Sequence, residues 1–411
     1  FTKSWAPSPT RSSASRNSPA GSSQAAQFFP LPQGEKEEAL ADLAETAARL
    51  CKADLVSATV GEFPEVQGIA GGHLALSQGL DPRIAAAIRD HYKPVGPSDK
   101  VPTAPVTVAV ALADKLDTLY TYLAAGELPT GSRDPFALRR AGLGIIRLIF
   151  RNHIRTNITA VLQEVSQDEL YACGYRGFAR SGAEALASQL VDPNYRIEDH
   201  DGEHLLFVGA EFKGSVSADD VKAIANWEAL QEHIWKAPAL VTAFLADRLK
   251  VQQREAGVRP DIIDAVFALG GEDDLVRLLA RVKAVQAVLL TPDGSSLLAG
   301  YRRGTNMLRI EELKDGAVDA DVDVELLVEP AEIALNAALD AVVPEVAEAV
   351  AEERFESAMT ALARLRPSVD SFFNYVTVNA GESEVRRNRL ALLARLRTAV
   401  HSIADFSKIT D

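Results

Sequence analysis

The sequence of 411 residues predicts a mainly α-helical protein with one small irregular or β-containing insertion. From Glu35 almost to the C-terminus, apolar residues recur at three- and four-residue steps, the interval that places side chains on one face of a helix. One run, Leu205-Leu206-Phe207-Val208, has instead the continuous apolar character of a strand, bounded by His204 and Gly209. A hydrophobic content of 47% fills ordinary cores, and the length allows two or three domains.

Taken in order, Leu40, Leu43, Ala47, Leu50 and Ala53 define a first amphipathic helix. It ends near Gly61-Glu62-Phe63-Pro64-Glu65-Val66-Gln67-Gly68, where Pro64 and the flanking glycines force a turn. A helix over about Pro82 to Tyr92 follows, then a Pro-rich loop, Pro94 to Pro105, then a buried helix from Val106 to Leu123. Asp134-Pro135 is a start signal: the carboxylate accepts from free amides, and proline suits the first helical position. That helix is expected from Pro135 to about Phe150, with Gly142 and Gly144 permitting close packing against a neighbour. Residues from about Tyr171 to Asp220 read as an excursion with Gly-rich turns. Helical spacing returns through Trp227, Leu240, Phe244 and Leu249, then Ile262, Val266 and Phe267, then Leu275, Leu278, Val282 and Val285. Beyond the acidic loop Asp315 to Asp323, Val369, Phe372, Phe373 and Val376 form the core face of a helix that Pro367 kinks or starts.

Composition excludes several classes of function. A formal charge of -14 repels a polyanion at long range, so any nucleic-acid contact must use a local basic patch, and no DNA partner is expected. No run approaches the roughly 18 apolar residues of a bilayer-spanning helix. Two cysteines, Cys51 and Cys173, make neither a disulfide framework nor a thiolate metal site, which favours a reducing compartment such as the cytoplasm. Residues 1–34 are Ser-rich, basic and acid-free, and are expected to be a disordered leader; an organelle transit segment has the same composition. Because residue 1 is Phe, the chain reads as a fragment.

Several segments resemble the β subunit of bacterial-type glycyl-tRNA synthetase, in the family's order. They are Lys52-Ala53-Asp54-Leu55, Glu62-Phe63-Pro64-Glu65-Val66-Gln67-Gly68, Ala111-Leu112-Ala113-Asp114-Lys115-Leu116-Asp117-Thr118-Leu119 and Pro129-Thr130-Gly131-Ser132-Arg133-Asp134-Pro135-Phe136-Ala137-Leu138-Arg139-Arg140. Val369-Asp370-Ser371-Phe372-Phe373, Arg386-Arg387-Asn388-Arg389-Leu390 and Ile403-Ala404-Asp405-Phe406-Ser407 extend the match nearly to the end. The resemblance covers about Lys52 to Phe150 and Trp227 to Asp411, and leaves out the leader and the excursion. It implies an HD-like helical domain over 35–165, an insertion or linker over 166–225, and a helical anticodon-binding domain, similar to that of arginyl-tRNA synthetase, over 226–411. It also implies tRNA(Gly) and a catalytic α subunit as partners, with glycine attachment, ATP and Mg at that α subunit and no cofactor in this chain. The alternatives are an HD-type metal-dependent phosphohydrolase and a non-catalytic helical scaffold.

The hydrolase alternative needs two His and two Asp around a divalent cation that acidifies a bound water. Asp114 matches the last acidic position, but no His-Asp pair occurs; Asp90-His91 is reversed, and Asp54 follows Ala53. Asp54 and Asp114 alone are too few for a dedicated site, and Asp114 is expected to pair with Lys115 or Arg139. His73 and His91 read as solvated or hydrogen-bonded side chains rather than ligands. Gly71-Gly72 lacks the Gly-Lys sequel of a phosphate loop, and no G-x-S-x-G elbow is present.

Basic clusters carry the remaining functional signal. Arg302, Arg303, Asn306 and Arg309 stand at helical spacing, and guanidinium groups donate paired hydrogen bonds to phosphate oxygens. In the helix from about Glu382 to Ile403, Val385, Leu392, Leu393, Leu396, Val400 and Ile403 share a core face. Arg389 falls on that face and is expected to be partly buried, held by an acid such as Asp370 or Asp405. Arg387 and Arg395 point away and Arg386 and Arg397 flank the stripe, which completes the candidate tRNA-binding set.

Overall fold

A computed structural model describes residues 37–129, 134–164, 195–200, 203–208, 211–270, 272–379 and 381–410. The expected leader, residues 130–133 and most of the excursion lie outside these. The chain divides into two compact units, the first ending at Arg248 and the second beginning at Leu249.

In the first unit, α1 (Glu37–Leu50), α2 (Ala58–Glu62), α3 (Ile69–Ser77), α4 (Pro82–Asp90), α5 (Pro105–Ala124) and α6 (Leu138–Asn152) follow in order. Leu40, Ala44 and Ala47 of α1 meet Ile84, Ala87 and Ile88 of α4 and Val106 and Val110 of α5 in one apolar cluster. Helix α6 begins three residues later than its sequence signal suggests. Asp134 caps it, accepting from the Leu138 and Arg139 amides at 2.8 and 3.1 Å, but across a turn that takes Pro135 out of the helix. The two glycines of α6 admit close neighbours as expected: a Cβ at Gly142 would lie 3.0 Å from the Phe244 ring, and one at Gly144 would lie 2.9 Å from Lys115 Cε.

The strand-like run lies in β2 (Glu203–Val208), the middle of an antiparallel sheet with β1 (Tyr195–His200) and β3 (Glu211–Val216). Leu206 faces Ile197 on one side and Gly214 on the other, and a bulge follows between Leu206 and Phe207. A long helix, α7 (Ala218–Glu255), contains both Pro238 and the boundary between the units.

The second unit is an all-helical bundle of α8 (Pro260–Phe267), α9 (Leu275–Leu289), α10 (Pro292–Asp315), α11 (Pro330–Ala351), α12 (Phe355–Ala363), α13 (Arg366–Tyr375) and α14 (Ser383–His401). Pro367 lies in the first turn of α13, whose Val369 and Phe372 enter the core, with Val376 just beyond it. Helix α14 buries more than its sequence stripe: Leu390, Ala391, Ala394 and Ala399 are enclosed along with Leu392, Leu393, Leu396 and Val400.

Arg389 is buried as its position on α14 requires, but Asp370 and Asp405 are not its partners. Glu332, fully buried at the start of α11, takes the Arg389 Nε on Oε1 and the amides of Val328 and Glu329 on Oε2, at 2.7 and 3.0 Å. Arg389 also donates to the Thr377 carbonyl at 2.8 Å. Asp370 faces Arg366 instead, and Asp405 caps the turn at Ser407. Removing one member of a buried pair strands the other, which costs about 3 kcal/mol or more. Arg389→Ala is therefore expected to lose about that much in urea unfolding, and adding Glu332→Gln to it should recover part of the loss.

Candidate functional site

Helix α10 starts with Thr291, whose hydroxyl accepts from the Gly294 amide at 3.1 Å, and with Pro292 in its first turn. At about 100° per residue, Arg302, Arg303, Asn306, Arg309, Ile310 and Leu313 fall on one stripe of it, clear of the buried Leu297, Leu308 and Glu311. Arg303, Asn306, Arg309, Ile310 and Leu313 are exposed. The acids of this turn project elsewhere. Glu311 is buried against Arg386 and also takes Lys314 at 3.0 Å. Glu312 accepts from both terminal nitrogens of Arg397, at 3.0 and 2.9 Å, and these hydrogen bonds hold its carboxyl below the usual range.

This geometry sorts the seven candidate arginines. Arg386, Arg395 and Arg397 are half-buried and engaged by side chains of the bundle: Arg386 by Glu311 and Asp315, Arg395 by Asn336 and Asp340, Arg397 by Glu312. Arg302 donates to the Ile409 carbonyl and fastens the C-terminal segment. Arg303, Arg309 and Arg387 are exposed, and among the described residues no carboxylate lies at ion-pair distance from them. Arg303 is also oriented, its guanidinium 4.6 Å above the Phe373 ring.

The first unit gathers its ionisable residues below the surface. Asp54 is buried and accepts on Oδ2 from the amides of Gly68 and Gly71, at 2.6 and 3.1 Å. Asp114 is met by neither Lys115 nor Arg139; Lys52 Nζ lies 2.8 Å from its Oδ1 and 4.0 Å above the Tyr92 ring. Burial opposes the Lys52 charge, but the charge and hydrogen bond of Asp114 outweigh it and raise its pKa. Lys115 caps the end of α4 instead, donating to the carbonyls of His91 and Tyr92 at 3.2 and 3.0 Å, and burial lowers it to about 8. His91 is buried, not solvated, with Nδ1 2.7 Å from the Ile88 carbonyl, while His73 is exposed. Cys51 is enclosed beside them, and burial pushes its thiol up to about 11. With an ammonium on Asp114 and two amides on Asp54, these carboxylates serve the fold; among the described residues no group of three or more His, Cys, Asp or Glu could hold a metal ion.

Residues 24–268 match the family model described as glycyl-tRNA synthetase beta subunit, and residues 297–409 match the DALR anticodon binding domain. The chain belongs to the glycyl-tRNA synthetase beta subunit family. A glycine–tRNA ligase beta subunit from Rhodospirillum centenum is 46% identical over 365 residues, covering 88% of this chain and 43% of the relative. Those of Phenylobacterium zucineum and Paracoccus denitrificans are each 42% identical, covering 89% and 90% of this chain and 43% and 44% of the relatives. The chain thus spans less than half the length of these curated relatives.

The beta-subunit match runs through the 171–220 excursion, which the motif resemblance leaves out, so the small sheet falls within the matched span. The anticodon-binding match begins inside α10, just ahead of the arginine stripe, and ends beyond α14. What the sequence could not reveal was which arginines of this family segment are engaged, because their acids come from other helices, such as Asp340 on α11 for Arg395.

The buried imidazole has a pH signature. Burial, then the Lys52 charge, lowers His91 to about 4 from an ordinary value near 6.5. Between those values the unfolded chain binds a proton that the folded chain refuses, so stability is lost as pH falls through that window, at up to about 1.4 kcal/mol per pH unit. The melting temperature from pH 7 to 4 should fall more steeply for the native sequence than for His91→Gln.

Proposed function

We propose that the chain acts as the tRNA-binding accessory part of a glycyl-tRNA synthetase, holding tRNA(Gly) while a separate α subunit attaches glycine with ATP and Mg. The stripe on α10 carries this reading. In a chain of net charge -14, Arg303 and Arg309 stand exposed, among the described residues with no carboxylate at ion-pair distance, inside the segment that matches an anticodon-binding domain. Guanidinium groups in that state release counterions when they meet phosphates, and Asn306 offers an amide to a base edge. The names of the relatives support the ligase assignment and the existence of a second kind of subunit. The phosphohydrolase reading loses its chemistry at Asp114, which already neutralises Lys52. A cytoplasmic location fits, and among the described residues no helix is long and apolar enough to cross a membrane.

Two measurements test this. Arg303→Glu with Arg309→Glu should weaken tRNA(Gly) binding about tenfold at roughly 0.1 M salt and reduce the salt slope by about 1.5, with only the small fall in melting that loss of the Phe373 contact brings. Unchanged affinity and slope would remove α10 from the interface. Purified chain alone should attach no glycine to tRNA, and glycine-dependent charging without the α subunit would overturn the division of labour.

A further inference from the structure

Between Pro135 and Gln163 the chain carries five arginines and one histidine and no Asp or Glu, against an overall charge of -14. Most of that run is α6. Its apolar side is fully engaged, since Leu138, Ile145, Ile146, Leu148 and Ile149 are buried in the first unit. The opposite side carries Arg140, Arg147 and Arg151, which fall within about 40° of one another at 100° per residue and span roughly 16 Å along the axis.

Arg147 has a structural task. It donates to the carbonyls of Gly96 and Asp99 at 2.6 and 2.7 Å, and Asn152 donates to the Pro102 carbonyl at 3.0 Å. These bonds strap the 96–102 loop along α6 from Arg147 to Asn152, and the loop carries the exposed Lys100. The acids at the edges are turned away: Asp99 accepts from the amides of Val95 and Gly96 at 2.8 and 3.4 Å, and Asp134 caps α6. Arg140, Arg151 and Lys100 are exposed, and among the described residues no carboxylate lies at ion-pair distance from any of them.

We infer that this face of α6, with Lys100 on its strapped loop, is a second RNA-contacting surface that binds phosphates of a structured RNA through Arg140, Arg151 and Lys100. A membrane surface is the poorer fit, because an amphipathic helix docks on lipid through its apolar face, and that face of α6 is buried in protein. An RNA backbone asks only for exposed cations free of competing acids. The inference rests on the reading that the chain binds tRNA, and extends it from the anticodon-type unit to the first unit.

The test uses the full chain with two RNAs, tRNA(Gly) and its anticodon stem-loop as an isolated hairpin. Arg140→Glu with Arg151→Glu should weaken binding of the whole tRNA about tenfold at roughly 0.1 M salt and lower its salt slope by about 1.5. Hairpin binding should stay as in the native chain, whereas the Arg303→Glu, Arg309→Glu pair should weaken both. Arg140→Gln with Arg151→Gln, which removes charge without reversing it, should lower tRNA affinity less but in the same direction, with melting unchanged. If the Arg140, Arg151 variants bind tRNA with native affinity and slope, or lose the hairpin equally, the α6 surface is overturned while the α10 reading stands. A native chain that binds neither RNA overturns both.

Discussion

A charge removed from water must be met by another charge or by several hydrogen bonds, and in the second unit that requirement converges on Glu332. Its two oxygens take the Val328 and Glu329 amides at the start of α11 and the guanidinium of Arg389 from α14, while Arg389 reaches on to Thr377 beyond α13. Three segments distant in sequence thus share one node. The node also fixes the rotation of α14, because turning Arg389 inward places Arg387, two residues earlier, on the outside. The exposed charge is in this sense a consequence of the buried one.

Much of this was legible from spacing alone. Helices α1, α4, α5, α9, α13 and α14 follow apolar periodicity, whereas the glycines around α3 hid that helix, and the inward direction of Arg389 follows from its angle on α14. The identity of its partner did not, since Glu332 stands 57 residues away and periodicity within one helix carries no information about another. The same limit hid the ties of Arg386, Arg395 and Arg397. At α6 a local rule was overridden: Asp134 and Pro135 form a valid helix start, yet the carboxylate reaches forward to the Leu138 and Arg139 amides and the chain makes a turn first. Strands β1 and β3 gave little signal because charged residues such as Arg196, Glu198 and Lys213 interrupt their apolar pattern.

The first unit solves its burial problem with lysines. Lys52 neutralises Asp114, the acid that a hydrolase would present to a metal, and Lys115 caps α4 through two carbonyls. The exposed positive charge of the candidate surfaces comes mainly from arginines on outer helix faces, with Lys100 on a loop beside α6. A chain of acidic composition can in this way keep long-range repulsion of nucleic acid and still hold one correctly shaped, since short-range contacts act only after the fit is made.

Cys51 sits among these internal contacts, enclosed and with its thiol held protonated by burial. A thiol in that state is a poor nucleophile, because the thiolate is the reacting species, and an alkylating reagent cannot reach it while the first unit stays closed. Its modification is therefore gated by transient opening of the α1 region. In a maleimide or iodoacetamide time course, the slow phase at Cys51 would report how often α1 lifts from its neighbours, giving this fold an intrinsic clock for local unfolding.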